Sequence, residues 1–134
     1  HRVVADTVAT AIRIGDPASF DRAVTAIRVT DGVVVAVSDD AILAAMAQVD
    51  SSGVGCEPAS AAAVAGVRQA LQDGLLHAED QVVAVLTGHV LKYPGVLMWY
   101  HQEADPTPPG RNAVIEINPG IDDVERELRA ATLA

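Results

Sequence analysis

The sequence is poor in aromatic residues, and this limits the kind of core it can build. Aromatic side chains make up 3% of the 134 residues, whereas hydrophobic residues as a whole make up 50%. The core must therefore consist of aliphatic side chains and alanine between closely layered elements. Such a composition favours stacked βα units over a sandwich with large aromatic anchors. A chain of this length can form one domain with a sizeable core.

Basic residues and cysteine are also scarce. Nine basic against eighteen acidic side chains give a net charge of −9, which argues against nucleic acid or an anionic membrane as a partner. We find neither an apolar run of about 18 residues nor a basic leader, so we expect no membrane span and no signal peptide. The single cysteine, Cys56, cannot form an internal disulfide and suits a reducing cytoplasm. The four scattered histidines show no zinc spacing.

Helical and strand-like patterns alternate along the first two thirds of the chain. Helices are predicted from Pro17 to just before Asp31, from a Ser38 cap through Val49, and from Pro58 to about Asp73. Apolar runs of strand length are Gly32–Ser38, Val54–Cys56 and Glu79–Gly88. This order predicts an α/β fold, a partial three-layer α/β/α arrangement with a mostly parallel sheet.

The pattern changes after Lys92. The stretch VLMWYHQ, residues 96–102, predicts a short amphipathic helix, and EADPTPPGRN predicts an exposed proline-rich connector. A strand over Ala113–Ile117 and a charged helix from Ile121 to about Thr132 complete the predicted elements.

Two turns follow predicted strands and carry polar side chains. Glu57-Pro58 joins a strand to a helix, with Ser60 in the first helical turn, and Thr87-Gly88 ends the next strand. Because the carboxyl ends of parallel strands share one sheet edge, we expect both turns at one ligand-binding edge. Structural alternatives stay open: Glu57 complements a helix N-terminus, Thr87 satisfies a nearby carbonyl, and Gly88 serves only the turn.

Three segments, TVATAIRIGDPASFDRAV, GVGCEPASAAAVAGV and VVAVLTGHVLKYP, together resemble the C-terminal part of the threonine synthase family. These are pyridoxal-phosphate enzymes of the tryptophan-synthase-β type, which have fold type II. The resemblance covers Arg2 to about Pro94. It implies that residues 1–94 are the C-terminal part of the cofactor-binding α/β domain and that residues 95–134 are a C-terminal extension.

The resemblance implies pyridoxal 5'-phosphate as cofactor and assigns it four residues of this chain. Thr87 matches the hydroxyl that faces the pyridine nitrogen, and a neutral hydroxyl makes the ring a milder electron sink than an aspartate would. Glu57 matches the acidic residue near the ring, Gly88 adjoins Thr87, and Ala11 matches a small residue against the cofactor plane. For His89 and Lys92 we favour structural or surface roles.

The lysine that forms the Schiff base and the glycine-rich phosphate loop of this family are not found in the sequence. No catalytic residue is therefore assigned to this chain, and its partner is the N-terminal portion of the same enzyme. The implied substrate is O-phospho-L-homoserine, and a homodimer is a further expected partner. Alternatives are a segment of a threonine or serine dehydratase, or a non-catalytic α/β module that binds a small ligand or partner.

Overall fold

The structure is a computed structural model that describes residues 3–112 and 114–132. Its α-helices are α1 (Phe20–Val29), α2 (Asp39–Ser51), α3 (Pro58–Gln72), α4 (Pro94–Met98) and α5 (Ile121–Thr132). Single 3-10 turns occupy Thr10–Ile12 and Val90–Lys92, and a π-helical turn, Trp99–Glu103, continues α4.

Local capping signals located α2 and α3 well. The Ser38 hydroxyl accepts a hydrogen bond from the Ala41 N–H at 3.2 Å, and Asp39 opens α2. Pro58 is the first residue of α3, and Gly74 follows the helix with φ +70°, a conformation that glycine adopts without strain. Both helix predictions are confirmed.

The predicted start of the first helix is wrong. The Phe20 N–H donates to the Pro17 carbonyl at 3.1 Å, so residues 17–20 form a turn before α1 begins at Phe20. Pro17, expected as the first helical residue, therefore lies before the helix, and Ser19 is at the N-cap position. Its predicted end before Asp31 is confirmed, since α1 ends at Val29.

The core lies between α2 and α3. One face of α2 is buried, and alanines of α3 allow the two helix backbones to approach closely. The buried apolar cluster contains Ala9, Ile42, Leu43, Ala45, Met46, Ala47, Val49, Cys56, Ala61, Ala65 and Tyr100. Tyr100 extends this core to the turn after α4, so the C-terminal extension contributes to the same core as the earlier helices.

The predicted strands are not formed in the part of the chain that the structure describes. Residues 32–38 and 79–88 contain no β-ladder, and residues 54–56 contribute only an isolated antiparallel bridge between Cys56 and His89. Residues 114–117 are also not a strand, and Ala113 lies outside the described residues. The parallel sheet predicted from the apolar runs is thus not seen.

The reason is that these runs lack neighbours to pair with and layers to cover them. The Val34 side chain is 77% exposed and that of Val83 is 89% exposed. An apolar β-branched run reads as a strand because it suits a sheet buried on both faces. The described residues provide cover only locally, for example where Val35 lies close to Gly66 of α3.

The C-terminal helices agree with the sequence predictions. The short helix predicted over residues 96–102 corresponds to α4 and its π-helical continuation, and α5 matches the predicted charged helix. Within residues 3–112 and 114–132, no helix has the length and apolar character needed to cross a bilayer.

Candidate functional site

The two predicted turns meet at the N-terminus of α3. The Glu57 N–H donates to the Gly88 carbonyl at 3.0 Å, and the Gly88 N–H donates to Ser60 Oγ at 2.8 Å. Ser60 Oγ also lies 3.3 Å from Thr87 Oγ1. We call Glu57, Ser60, Thr87 and Gly88 the α3 corner. The two turns meet as expected, but the sheet edge at which we expected them is not formed by the described residues.

The hydroxyl pair allows Thr87 to act as a donor. Ser60 Oγ already accepts the Gly88 N–H, and its own hydrogen can be donated to Thr87 Oγ1 at 3.3 Å or to the Gly88 carbonyl at 3.5 Å. When Ser60 donates to Thr87, the Thr87 hydroxyl hydrogen is available to an acceptor outside the chain. Thr87 is exposed and Ser60 is buried, which places the available donor on the outer side of the α3 corner.

Glu57 does not serve the helix N-terminus as a capping side chain. It occupies the N-cap position without a side-chain cap hydrogen bond, and its carboxylate instead lies 3.1 Å from the Lys92 ammonium. The Glu57 side chain is 2% exposed, whereas that of Lys92 is 54% exposed. The pairing gives Lys92 a structural role, one of the two roles that we expected for it.

Gly88 is required by close approach to Glu57. A Cβ atom at residue 88 would stand 1.9 Å from Glu57 Oε1 and 2.3 Å from its Cδ. No side chain can occupy that position unless the carboxylate leaves. Gly88 therefore does more than complete a turn: its missing side chain makes room for a buried carboxylate.

Three residues from these segments take no part in the hydrogen bonds of the α3 corner. Ala11 is half-buried in the Thr10–Ile12 turn, beside the fully buried Ala9, and it takes no part in the hydrogen bonds of the α3 corner described above. His89 is exposed and its Nδ1 accepts the Leu91 N–H at 3.2 Å, a local structural role as expected. Arg13 pairs with Asp6 at 4.0 Å on the surface.

A second polar group, beneath the α3 corner, was missed by the sequence reasoning. Asp50 Oδ1 accepts the Cys56 N–H at 3.3 Å, and Asp50 Oδ2 lies 3.9 Å from the buried His101 Nε2. Burial raises the pKa of Asp50. Burial, followed by the charges of Asp50 and Glu57, raises the pKa of the Cys56 thiol to about 11. Cys56 is thus an inert buried thiol, as expected.

The residues of the α3 corner suit a pyridine ring in chemical type. A ring nitrogen accepts a hydrogen bond, and the exposed Thr87 hydroxyl can donate one. Glu57 Oε2 is buried and has no hydrogen-bond partner among the described residues, so the α3 corner retains an unused acceptor. The donor set therefore fits the cofactor that the sequence resemblance implies.

Comparison with known proteins identifies the family. A model of the family described as "Pyridoxal-phosphate dependent enzyme" matches residues 1–88. Threonine synthase of Methanosarcina acetivorans is 47% identical over 90 residues, which are 66% of this chain and 22% of the relative. Those of Mycobacterium tuberculosis (strain ATCC 25618 / H37Rv) and Halalkalibacterium halodurans are 43% and 40% identical, over 83% and 87% of this chain.

The last two relatives are matched over more of the chain than the segment Arg2–Pro94, so the similarity extends further than the sequence motifs suggested. The chain spans 22%, 31% and 29% of the lengths of these three relatives. The family match covers most of the chain and ends at Gly88, the glycine of the α3 corner. This chain belongs to the family of pyridoxal-phosphate dependent enzymes.

Proposed function

We propose that the chain is the C-terminal segment of a threonine synthase, a lyase that converts O-phospho-L-homoserine and water to L-threonine and phosphate. The observation that carries the proposal is the α3 corner, in which Thr87 and Glu57 are brought together by hydrogen bonds to Gly88 and Ser60. The similarity to three threonine synthases supports the same reaction.

In this proposal the chain contributes the wall that faces the pyridine nitrogen. The cofactor, when bound, supplies an electron sink for charge that develops on the substrate carbons. The Thr87 hydroxyl would donate a hydrogen bond to the ring nitrogen without transferring a full proton to it. Gly88 would leave room beside Thr87 for the buried Glu57 carboxylate, and Ala11 would present a small side chain to the ring.

The chain supplies no lysine for attachment of the cofactor. Lys92 is its only lysine, and the 3.1 Å contact with Glu57 engages its ammonium group. We therefore propose that the attaching lysine and the phosphate-binding loop belong to the N-terminal portion of the same polypeptide. The 134-residue chain alone should be inactive and should form no imine with added pyridoxal phosphate.

The extended segments suggest how the two portions join. Residues 32–38 and 79–88 expose valines that suit a sheet interior, as Val34 and Val83 show. We propose that these segments become strands of a mostly parallel sheet when the N-terminal portion supplies neighbouring strands, giving the three-layer fold type II arrangement. Amide hydrogen exchange should then be slow in both segments of the full-length polypeptide, and fast exchange there would contradict the proposal.

Other features of the proposal concern organisation. Residues 1–94 would be the C-terminal part of the cofactor-binding domain and residues 95–134 an extension that packs on it through Tyr100. A homodimer is proposed for the full-length enzyme, and light scattering of that polypeptide tests it. The single cysteine fits a cytoplasmic location.

The decisive experiment uses the full-length polypeptide that contains this chain. We expect threonine and phosphate to form from O-phospho-L-homoserine with pyridoxal phosphate, without deamination of threonine at a comparable rate. Thr87→Asp should change the absorption spectrum of the bound cofactor and slow threonine formation, because a carboxylate holds the ring nitrogen protonated. Thr107→Asp, at another exposed threonine, is the matched control. An unchanged spectrum and rate in the Thr87 variant would remove Thr87 from the site.

A further inference from the structure

The carboxylate of Glu57 is buried with one charged partner. Its Oε1 atom contacts the Lys92 ammonium at 3.1 Å, and Oε2 has no hydrogen-bond partner among the described residues. A buried carboxylate is costly unless a charge compensates it. Lys92 is thus the cation that compensates the buried charge of Glu57, in a chain whose net charge is −9.

Lys92 is placed for this contact by the turn that follows the α3 corner. It ends the 3-10 turn Val90–Lys92, in which His89 accepts the Leu91 N–H at its Nδ1 and the Lys92 N–H at its carbonyl. From this turn the lysine side chain reaches Glu57, 35 residues earlier in the sequence. Lys92 also lies 5.9 Å from the centre of the Tyr93 ring, a cation–π distance.

The position of Glu57 in turn determines the position of Gly88. The carboxylate lies where a Cβ of residue 88 would be, so it is packed directly against the Gly88 backbone. That backbone is further held by the Ser60 hydroxyl at its N–H and by the Glu57 N–H at its carbonyl. A displaced carboxylate would leave Gly88 loose on the side that Glu57 now fills.

We propose that Lys92 is a positioning residue for the cofactor, an inference that rests on the proposed function. Its ammonium holds the Glu57 carboxylate against Gly88, and the Gly88 backbone sets the direction of the adjacent Thr87 hydroxyl. Lys92 acts through Glu57 and does not touch the cofactor or the reacting atoms. Its contribution is to the affinity and hydrogen bonding of the pyridine ring.

The test compares Lys92→Met, Lys92→Arg and Glu57→Gln in the full-length polypeptide, with Arg129→Met as a control that removes a cation from an exposed helical pair. We expect Lys92→Met to weaken pyridoxal-phosphate binding by up to about 5-fold, because the pair with the half-exposed lysine is screened by water and the released carboxylate no longer holds Gly88. In Lys92→Met, the pH midpoint of the change in the absorption band of the bound cofactor should also shift relative to the unmodified polypeptide. Lys92→Arg should restore most of the affinity, and Arg129→Met should match the unmodified polypeptide.

Two further measurements separate positioning from a general loss of structure. In the cofactor-free polypeptide, the NMR signal of the Gly88 amide should move in Lys92→Met and in Glu57→Gln. The double variant with Lys92→Met and Glu57→Gln should fold, because it leaves no carboxylate charge buried at residue 57. In the Glu57→Gln background, Lys92→Met should have little additional effect on the affinity for pyridoxal phosphate. Additive losses in the double variant would overturn the inference.

The outcomes distinguish this inference from the function on which it rests. If the unmodified polypeptide binds pyridoxal phosphate and Lys92→Met has the same affinity and spectrum, Lys92 has no positioning role. If the unmodified polypeptide binds no pyridoxal phosphate, the proposed function fails and the inference fails with it.

Discussion

A methyl group at residue 88 should expel the Glu57 carboxylate from the α3 corner. In Gly88→Ala the new Cβ would stand 1.9 Å from Glu57 Oε1, 2.3 Å from Cδ and 2.8 Å from Cγ. Attractive contacts between heavy atoms have separations of about 3.5–4.0 Å. The end of a flexible side chain can usually move away, but Glu57 is almost fully buried and is held by Lys92. Either the carboxylate leaves its place or the backbone shifts.

The cost has two parts. Inserting a methyl group into a well-packed region costs about 1–3 kcal/mol. Losing the contact with Lys92 adds no more than about 1 kcal/mol, because the lysine is half exposed and water screens the pair. We therefore expect Gly88→Ala to lower the free energy of unfolding by about 1–4 kcal/mol. Urea unfolding of the full-length polypeptide, followed by far-ultraviolet circular dichroism, measures this change.

Two comparisons make the assignment specific. Gly95→Ala adds the same methyl group in α4, where no heavy atom lies within 4 Å, and should change stability by no more than about 1 kcal/mol. In a Glu57→Ala background, Gly88→Ala should cost less than about 1 kcal/mol, because the group it strikes is gone. An equal cost in both backgrounds would show that Glu57 is not the source of the strain.

Three further predictions concern the same region. Ser60→Ala removes the acceptor of the Gly88 N–H and should lower the unfolding free energy by about 1–3 kcal/mol. The control Ser51→Ala, at an exposed helix end, should lower it less. Urea unfolding measures both changes. The pKa of the Cys56 thiol is raised to about 11 from an ordinary 9.0. At pH 8 this thiol should therefore react with iodoacetamide at least about 100-fold more slowly in the folded chain than in the unfolded chain. Equal reaction rates would contradict the burial of Cys56. Burial raises the pKa of Asp50 above its ordinary 3.8, so ionisation of this carboxyl opposes folding as pH rises through the raised value. The unfolding free energy of Asp50→Asn, relative to that of the unmodified chain, should therefore increase between about pH 3 and pH 7. A difference that stays constant over this range would refute the reasoning.

Helix boundaries were predictable where the signal is local. Ser38 and Pro58 set helix starts through their own hydroxyl group and ring, within one turn of the chain. The first helix shows the limit of such signals. Asp16-Pro17 has the composition of a helix start, yet the chain first forms a turn that ends at Phe20. A capping pattern indicates that a helix is near but leaves its first residue uncertain by a few positions.

The strands were not predictable as structure from this chain, because a strand depends on partner strands outside its own segment. Residues 32–38 and 79–88 have strand composition, and the structure leaves many of their valines exposed. Composition therefore identified what these segments suit, namely a sheet covered on both faces, but not whether neighbouring strands are present among the described residues.

The polar residues divide in the same way. Thr87 and Glu57 were predicted as site residues from the segments around them. The contacts of Lys92, Asp50 and His101 with other parts of the fold are visible only in the structure. One signal for Lys92 was present in the sequence: it is the only lysine of an acidic chain, and a buried glutamate requires a cation. Its distance of 35 residues from Glu57 hid the pairing.

The α3 corner forms without the sheet that was expected to create it. Its contacts join residues 57–60 to residues 87–92 by backbone and side-chain hydrogen bonds, and only the Cys56–His89 bridge resembles strand pairing. Among the described residues Thr87 meets Glu57 without a sheet, because the Ser60 hydroxyl and the Glu57 N–H hold Gly88. In our proposal the N-terminal portion supplies the lysine, the phosphate loop and the strands that cover the exposed valines. On this argument, cofactor binding should depend on both portions, while the geometry around Gly88 should already exist in this chain.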